Sequence, residues 1–254
     1  DRAWAYIESG NVGGWVEIAT IAFVDKNFIQ EFKNSNYFVS VKEKFPIYDP
    51  IFREYVKVAT IFPKKENQYI IAKKDDAQNA VITYINLNDD EVEAMPLAFN
   101  IQNRIKIAKQ LIDEPYGWGG FLNNRDCSSF TQDYFAVFGK YLHRNSKSQI
   151  SNGKYLEVSN LSNDEKKEFI KKNGVPFSTL VYLKGHIMMY IGIKNNEPLV
   201  MHNMWSIRLK DETGKKYRHI VGKATITTLE PGLGMKDYDE DGNILKKVEG
   251  IIIL

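Results

Sequence analysis

The spacing of hydrophobic and polar residues separates a strand-rich first part of the chain from a mixed second part. Over residues 1–97, short apolar runs alternate with polar or glycine-containing turns, which is typical of β-strands. Strands are predicted at 4–8 and 15–19, joined by a turn at 9–14, and then at 37–41, 56–62, 69–72 and 80–85. Short strands at this spacing indicate small β-barrels.

Helical periodicity begins after the linker Met95-Pro96-Leu97. Apolar positions 101, 105, 108, 111 and 112 share one face of a helix predicted over 101–112. A second stripe predicts a helix that contains Cys127 in its first turn, with apolar residues at Phe130, Tyr134, Val137, Phe138 and Tyr141.

Cys127 is the only cysteine of the 254 residues, and it follows the glycine-rich loop Tyr116-Gly117-Trp118-Gly119-Gly120. The first turn of a helix offers unpaired backbone N–H groups and the positive end of the helix dipole. Both favour a thiolate over a thiol. We therefore expect Cys127 to be a nucleophile with a lowered pKa.

The candidate bases are four histidines: His143, His186, His202 and His219. A strand predicted over 186–193 carries His186 on the face opposite Ile187, and a returning strand over 198–203 carries His202 after a turn at 194–197. The two imidazoles share a face only if His202 pairs with an even-numbered residue, most usefully Met188. That pairing requires an odd-length loop or a bulge. Of the four histidines, we expect only these two to lie on strands.

These motifs resemble the NlpC/p60 family of bacterial cell-wall cysteine peptidases over residues 100–254. The similar segments are Tyr-Gly-Trp-Gly-Gly at 116–120, Asp-Cys-Ser-Ser-Phe at 126–130, Gly-His-Ile-Met-Met-Tyr-Ile-Gly at 185–192 and Met-His-Asn at 201–203. The resemblance implies a small papain-like α+β fold with Cys127 as nucleophile, His186 as base and then acid, and His202 as the group that orients His186. It also implies cleavage between γ-D-glutamate and the diamino acid of peptidoglycan stem peptides, without a cofactor.

Further positions are assigned to substrate binding by the resemblance: Tyr116, Trp118, Asp126, Ser128, Arg144, Asn145 and Ser146. Tyr116 matches a tyrosine whose hydroxyl reaches the cysteine, and Asp126 can cap the helix of the nucleophile. Arg144-Asn145-Ser146 resembles the family's Arg-Asp-Ser, but asparagine replaces the aspartate. We therefore expect weak selectivity for a free substrate amine. The segment 178–185 lacks the usual Gly-Asp-Leu and is interpreted as loop variation.

The first part of the chain resembles bacterial SH3-type modules, chiefly at residues 14–16 and 56–60. The predicted domains are a first module at 1–33, a second at 34–97 and the catalytic domain at 98–254. The first is too short for a barrel core of its own, so we expect it to be incomplete or to depend on packing elsewhere. These modules could target the wall or close the cleft, where Tyr6 or Glu8 would reach the substrate.

Composition adds limits rather than a function. The chain is 43% hydrophobic and 26% charged with a net charge of +2, which is typical of a soluble protein without a nucleic-acid-binding patch. No apolar run is long enough for a membrane span, and the segment 162–174 is predicted to be a solvent-exposed helix with a capping box.

A wall substrate would require export, so we expect a leader outside these residues. A monomer is expected.

Two other functions fit some of the same residues. Cys127, His186 and His202 are competent zinc ligands, although no fourth ligand is evident. Alternatively, the chain is a wall-binding protein whose catalytic domain is degenerate, a hypothesis that the altered Arg-Asn-Ser motif supports. A related acyltransferase is disfavoured because no apolar segment that could accommodate a lipid lies beside the site.

Overall fold

The computed structural model describes residues 3–10, 12–33 and 35–254, and the chain divides into two units. The first unit runs to Ala98 and includes Val137–Gly139, while the second comprises Phe99–Ala136 and Lys140–Leu254. The predicted linker therefore lies at the end of the first unit. The further division at residue 33 stays a prediction.

The first unit is built mainly from short antiparallel strands. Five of them form one sheet in the order β8-β7-β6-β3-β9, while β1-β2 and β4-β5 are separate hairpins. Its elements are β1 (Trp4–Glu8), β2 (Gly13–Glu17), α1 (Lys26–Lys33), β3 (Asn36–Ser40), β4 (Phe45–Tyr48), β5 (Phe52–Val56), β6 (Ile61–Lys65), β7 (Gln68–Lys74), β8 (Ala80–Ile85) and β9 (Val92–Ala94).

The strand predicted over 56–62 is wrong. Val56 ends β5 and Ile61 begins β6, and between them the chain turns through a hydrogen bond from the Thr60 N–H to the Lys57 carbonyl. Ala59 has φ of 74°, which breaks the extended backbone. Apolar residues flank this turn because both strands contribute to one core, made of Phe45, Ile47, Val56, Phe62, Tyr69, Ile85 and Val92. The turn predicted at 9–14 includes Asn11, which lies outside the described residues.

The second unit combines four α-helices with a six-stranded antiparallel sheet, ordered β10-β15-β11-β12-β13-β14 when its elements are numbered onward. The helices of this unit that precede the sheet's central strands are α2 (Ile101–Leu111), α3 (Cys127–Ala136) and α4 (Asn163–Asn173), and the short α5 (Ile244–Lys247) follows them. The strands are β10 (Lys154–Glu157), β11 (Thr179–Leu183), β12 (His186–Lys194), β13 (Glu197–Lys210), β14 (Lys216–Thr228) and β15 (Val248–Ile253).

Two expectations for this unit need correction. The segment interpreted as loop variation contains β11, a fully buried strand that pairs with β12 and β15. The helix α4 has the predicted capping box between Ser162 and Glu165, but it is not solvated all round. Lys166 is buried and donates hydrogen bonds to the carbonyls of Leu245 and Lys246, and burial lowers its pKa.

A β-bulge sets the pairing of β12 with β13. Tyr190 pairs with Val200 and Gly192 with Leu199, so one additional residue of β12 is accommodated between them. The hairpin loop itself contains only Asn195 and Asn196, both with positive φ, and an even loop requires such a bulge to bring His202 opposite Met188. The bulge predicted from the two histidines is confirmed.

The predicted α+β class, with a strand-rich N-terminal part, is confirmed. Among residues 3–10, 12–33 and 35–254, no helix is both long and apolar enough to cross a membrane.

Gly192 supplies the first testable prediction, because its φ of 128° is a conformation that other residues rarely adopt. Gly192→Ala should destabilise the protein by about 1–2 kcal/mol through backbone strain, which urea unfolding would measure. The matched control is Gly214→Ala, at a turn glycine with φ of 84°. Both variants should lose stability, but only Gly192→Ala should also perturb the imidazole resonances of His186 and His202. Equal imidazole shifts in both variants would contradict a specific role of the bulge.

Candidate active site

The loop from Tyr116 to Asp126 places Cys127, the candidate nucleophile, at the start of α3. The Gly117 N–H donates to the Arg125 carbonyl at 2.8 Å, which closes the loop. A Cβ on Gly117 would lie 2.5 Å from the Phe121 carbonyl oxygen, so this close approach requires glycine. Asp126 caps the helix, because its Oδ1 accepts from the Ser129 N–H at 2.9 Å and from the Ser128 N–H at 3.2 Å.

Cys127 is buried, and its pKa departs from the sequence-based expectation. Burial and the Asp126 carboxylate raise the pKa of the thiol to about 11. Hydrogen bonds from the backbone N–H groups of Ile187, Ser128 and Cys127 lower it, but by less. The N–H groups at the helix start therefore do lower the pKa of the thiol, as predicted, but the loss of solvent around the sulfur raises it by more. The resting side chain is a thiol.

His186 and His202 lie side by side, as the predicted pairing requires. His186 Nε2 is 2.7 Å from His202 Nδ1, and the two rings meet edge to face. His202 is fully buried and His186 partly buried. Burial lowers the pKa of His186 to about 4, and burial together with the His186 charge lowers that of His202 well below its usual value. Both rings are neutral at pH 7.

Thr227 extends the hydrogen bonding of His186 and His202 by one more side chain, which the sequence analysis did not predict. Its Oγ1 is 3.0 Å from His202 Nε2. If His202 donates from Nε2 to Thr227, its Nδ1 accepts from His186 Nε2–H, and the lone pair of His186 remains on Nδ1. Thr227 lies on β14, two residues beyond Thr225, the cross-strand partner of His202. The sequence shows polar residues at 225 and 227, which share a strand face. It does not show the register between β13 and β14 that brings them to His202.

Asp126 and Arg144 form a bidentate ion pair next to Cys127 in the chain. Arg144 Nη2 lies 2.8 Å from Asp126 Oδ2, and Nη1 lies 3.0 Å from Asp126 Oδ1 and from Ser128 Oγ. Although burial opposes it, the hydrogen bonds from Arg144 and the Ser129 N–H lower the pKa of Asp126. Asp126 is therefore an ionised, satisfied carboxylate.

The remaining residues of the Arg-Asn-Ser motif are positioned differently from the arginine. Asn145 Oδ1 accepts from the Ser148 N–H at 2.8 Å, at the start of a short 3₁₀ turn, Ser148–Asn152. Ser146 is partly buried. The amide oxygen expected to meet a substrate amine is thus already used by the backbone.

Three aromatic rings form a wall next to Cys127. The Tyr116 hydroxyl accepts from the Cys127 backbone N–H, and burial raises the pKa of that hydroxyl. The Tyr116 and Trp118 ring centroids are 5.0 Å apart, and Trp205 lies 5.7 Å from Tyr116 and 6.0 Å from Trp118. Trp205 was not predicted. It lies at a register shift of β13, between Met204 and Ser206, which the sequence pattern does not reveal.

The other candidates lie elsewhere in their units. His143 contacts Tyr141 edge to face, and His219 is exposed on β14, so a third histidine does lie on a strand. In the first unit Tyr6 packs against Trp15, and Glu8 is exposed at the end of β1. Their predicted reach to the cleft stays a prediction.

Part of the chain matches a known protein family. Residues 113–223 match the model of the NlpC/P60 family. This segment is an NlpC/P60 domain. It includes Cys127, His186 and His202, together with Arg144. No curated protein matches the chain.

Two solved structures share the fold. A structure described as a novel NlpC/P60 endopeptidase from Photobacterium damselae subsp. piscicida has a TM-score of 0.87 at 24% identity, covering 99% of this chain. The match spans 60% of the Photobacterium chain, so that protein is considerably longer than the part matched here. An NlpC/P60 family protein from Bacillus cereus has a TM-score of 0.60 at 16% identity, covering 94% of this chain and 69% of its own.

The two buried histidines of the NlpC/P60 domain make stability depend on pH. Their folded pKa values lie below the unfolded value near 6.5, so the unfolded state binds more protons as the pH falls toward 4. Stability is complete above about pH 6.5 and declines below it, by about 2 kcal/mol or more between pH 7 and 4.5. Urea unfolding at several pH values would measure this. His202→Asn should flatten the dependence, whereas His219→Asn, at an exposed histidine, should leave it unchanged.

The thiol titration gives a separate test. With a pKa of about 11, Cys127 should react with iodoacetamide at a rate that keeps rising through pH 9 and 10. Because the chain has one cysteine, Cys127→Ala is the control for labelling elsewhere. An inflection near or below pH 7 would instead indicate a thiolate–imidazolium pair at rest.

Proposed function

We propose that the NlpC/P60 domain is a cysteine peptidase that hydrolyses the amide between γ-D-glutamate and the diamino acid of peptidoglycan stem peptides. The observation that carries this proposal is the hydrogen-bonded row of His186, His202 and Thr227, together with the bond from the Ile187 N–H, next to His186 in the chain, to the thiol of the helix-start Cys127. With Thr227 accepting from His202 Nε2–H, such a row holds one tautomer of the base, as the third group of a catalytic triad does. The identity of the scissile bond and the choice of peptidoglycan as substrate are inferred from the motif resemblance.

In the first half of the proposed reaction, Cys127 Sγ attacks the substrate carbonyl carbon while its proton passes to His186. The starting state contains a neutral thiol and a neutral imidazole, because the two pKa values are about 11 and about 4. Proton transfer thus accompanies attack rather than preceding it. The Tyr116 hydroxyl and the backbone N–H groups at the helix start lie at the thiol, and we propose that they donate to the developing oxyanion.

Collapse of the tetrahedral intermediate breaks the C–N bond, and His186 gives its proton to the leaving amine. The product at this stage is a thioester on Cys127. In the second half, His186 takes a proton from a water molecule that attacks the thioester, and the proton returns to the departing sulfur. When His202 Nδ1 accepts from His186 Nε2–H, the nitrogen of His186 that exchanges protons in these steps is Nδ1.

The same geometry suggests how the substrate is selected. Arg144 remains partly exposed while it pairs with Asp126, so it can also donate to a D-glutamyl carboxylate. No anion is left for a substrate ammonium in this group, since Asp126 is paired with Arg144 and the Asn145 oxygen binds Ser148. We therefore propose that stem peptides with a free or an acylated alanine amine are both accepted. The aromatic wall of Tyr116, Trp118 and Trp205 would pack against the apolar parts of the peptide.

The hydrogen bonds argue against the zinc alternative. Both ring nitrogens of His202 are engaged, one by His186 and the other by Thr227, so metal binding would have to break one of these contacts. The binding-protein alternative has less support, because the row of side chains is complete beside Cys127. A peptidoglycan substrate would place the protein in the cell envelope.

The prediction is tested with two synthetic stem tripeptides, L-Ala-γ-D-Glu-diamino acid with a free amine and the same peptide N-acetylated. Cys127→Ala should abolish release of the diamino acid, measured by mass spectrometry, because no other thiol is present. His186→Ala should lower kcat by about 10²–10⁴-fold. Thr227→Val should cause a smaller loss in kcat with little change in KM, since it removes only the group that fixes the tautomer of His202.

The matched control is His219→Ala, which removes an exposed histidine from the same sheet and should leave kcat unchanged. The kcat/KM values for the free and acetylated peptides should differ little. Normal hydrolysis by Cys127→Ala would refute the peptidase assignment. A strong preference for the free amine would leave the assignment intact but would show that another carboxylate holds the ammonium.

A further inference from the structure

Cations face each other across the far end of the β13–β14 ribbon. Arg208 is the cross-strand partner of Arg218, and Lys210 is the partner of Lys216. Direct partners lie on the same face of an antiparallel pair, as do residues two positions apart. Four cationic side chains therefore occupy one face of the ribbon. Like charges directly opposite each other destabilise a sheet unless an anion lies between them.

Acidic residues of the segment that follows β14 neutralise only part of this charge. Arg208 Nε lies 2.6 Å from Asp239 Oδ2, and Asp239 is fully buried. Lys216 lies 3.4 Å from Asp241. No ion pair of the described residues includes Arg218, whose Nη1 donates instead to Ser206 Oγ at 3.0 Å.

A cavity of about 140 Å³ lies at this point of the ribbon. Its polar lining comes from Ser206, Arg208, Arg218, Tyr238 and Lys247. The Tyr238 hydroxyl is buried and has no hydrogen-bond partner among the described residues. A buried hydroxyl without a partner is costly, so it indicates a place where an acceptor is expected. Burial and the Arg208 charge lower the pKa of Lys247, as expected where cations crowd together.

We propose that this cavity binds a phosphoryl group. The cations Arg208, Arg218 and Lys247 of its lining, with the neighbouring Lys216, face two carboxylates, Asp239 and Asp241, which leaves two positive charges in excess among these six groups. A phosphoryl group carries about 1.5 to 2 negative charges at pH 7 and accepts hydrogen bonds in several directions. The guanidinium of Arg218, the Lys247 ammonium and the Tyr238 hydroxyl supply donors from three different elements. A small carboxylate would leave a charge unbalanced.

The site is separate from the catalytic groups. Arg208 is six residues beyond His202 along β13, or about 20 Å at the usual rise of a strand. The proposal therefore does not rest on the peptidase assignment. Phosphoryl binding is measured without any peptide substrate, so each proposal can fail without the other.

Lys247 extends the cationic surface beyond this cavity. It also lines a neighbouring cavity of about 450 Å³, which includes Lys184 and Lys246 as well as Glu249. A phosphodiester chain could place one phosphoryl group in the small cavity and the next beside these lysines. The phosphoryl group could thus come from a free phosphate or from an anionic polymer, and the experiment distinguishes these sources.

The test titrates inorganic phosphate into the purified protein by calorimetry, at fixed ionic strength in chloride. Saturable binding of one phosphate per chain is expected, with much weaker binding of acetate. Arg218→Ala and Lys247→Ala should each weaken the affinity for phosphate about tenfold, and Tyr238→Phe by a smaller factor. The matched control is Lys236→Ala, which removes one positive charge at an exposed ion pair with Glu212 and should bind normally.

Stability provides a second readout that a merely structural arginine would not give. Without phosphate, Arg218→Ala should raise the melting temperature, because it relieves the repulsion from Arg208. Added phosphate should stabilise the unmodified protein but not this variant. If poly(glycerol phosphate) binds at least about tenfold more tightly than phosphate, the source is a polymer; equal affinity per phosphoryl group identifies free phosphate. Absence of saturable binding, or unchanged binding in Arg218→Ala, would overturn the proposal.

Discussion

The register between β12 and β13 is the constraint on which the candidate active site depends. A two-residue hairpin loop would by itself place His202 on the wrong face relative to His186, since side chains alternate along a strand. The bulge at Ile191, made possible by the left-handed backbone of Gly192, changes that parity. The two imidazoles then meet at hydrogen-bonding distance, and the register between β13 and β14 adds Thr227 next to His202.

The environment of Cys127 illustrates how burial can outweigh a helix terminus. A helix dipole contributes about 0.3–1 kcal/mol near its end, whereas removing a thiolate from water costs considerably more. Asp126 adds to the same effect while it caps the helix, because its charge lies close to the sulfur. Arg144 offsets that charge by pairing with Asp126. The residues of the motif are therefore coupled to one another, and each has a structural role besides any contact with substrate.

Local signals in the sequence determined most of the elements and the identity of the main candidates. The helix start at Cys127, the capping box of α4 and the strands that carry His186 and His202 all follow from short-range periodicity and turn chemistry. The predicted stripe was too long, because α3 ends at Ala136, before Val137, Phe138 and Tyr141. The prediction failed where apolar residues flank a turn, as at Lys57–Thr60, and where a buried strand was interpreted as a loop, as for β11. At the turn, Val56 and Phe62 enter one core, so apolar residues recur across it as they would in a strand. In β11, burial on two sides removes the alternation that identifies a strand.

Tertiary structure alone decided which side chains meet and in which protonation state. The sequence by itself specified a lone cysteine at a helix start and a pair of histidines that require a bulge, because these depend on neighbours along the chain. It could not place Thr227 behind His202, Trp205 beside Trp118, or Arg218 opposite Arg208, because each contact depends on the register between strands. Nor could it give the pKa of Cys127, since desolvation depends on everything packed around the sulfur.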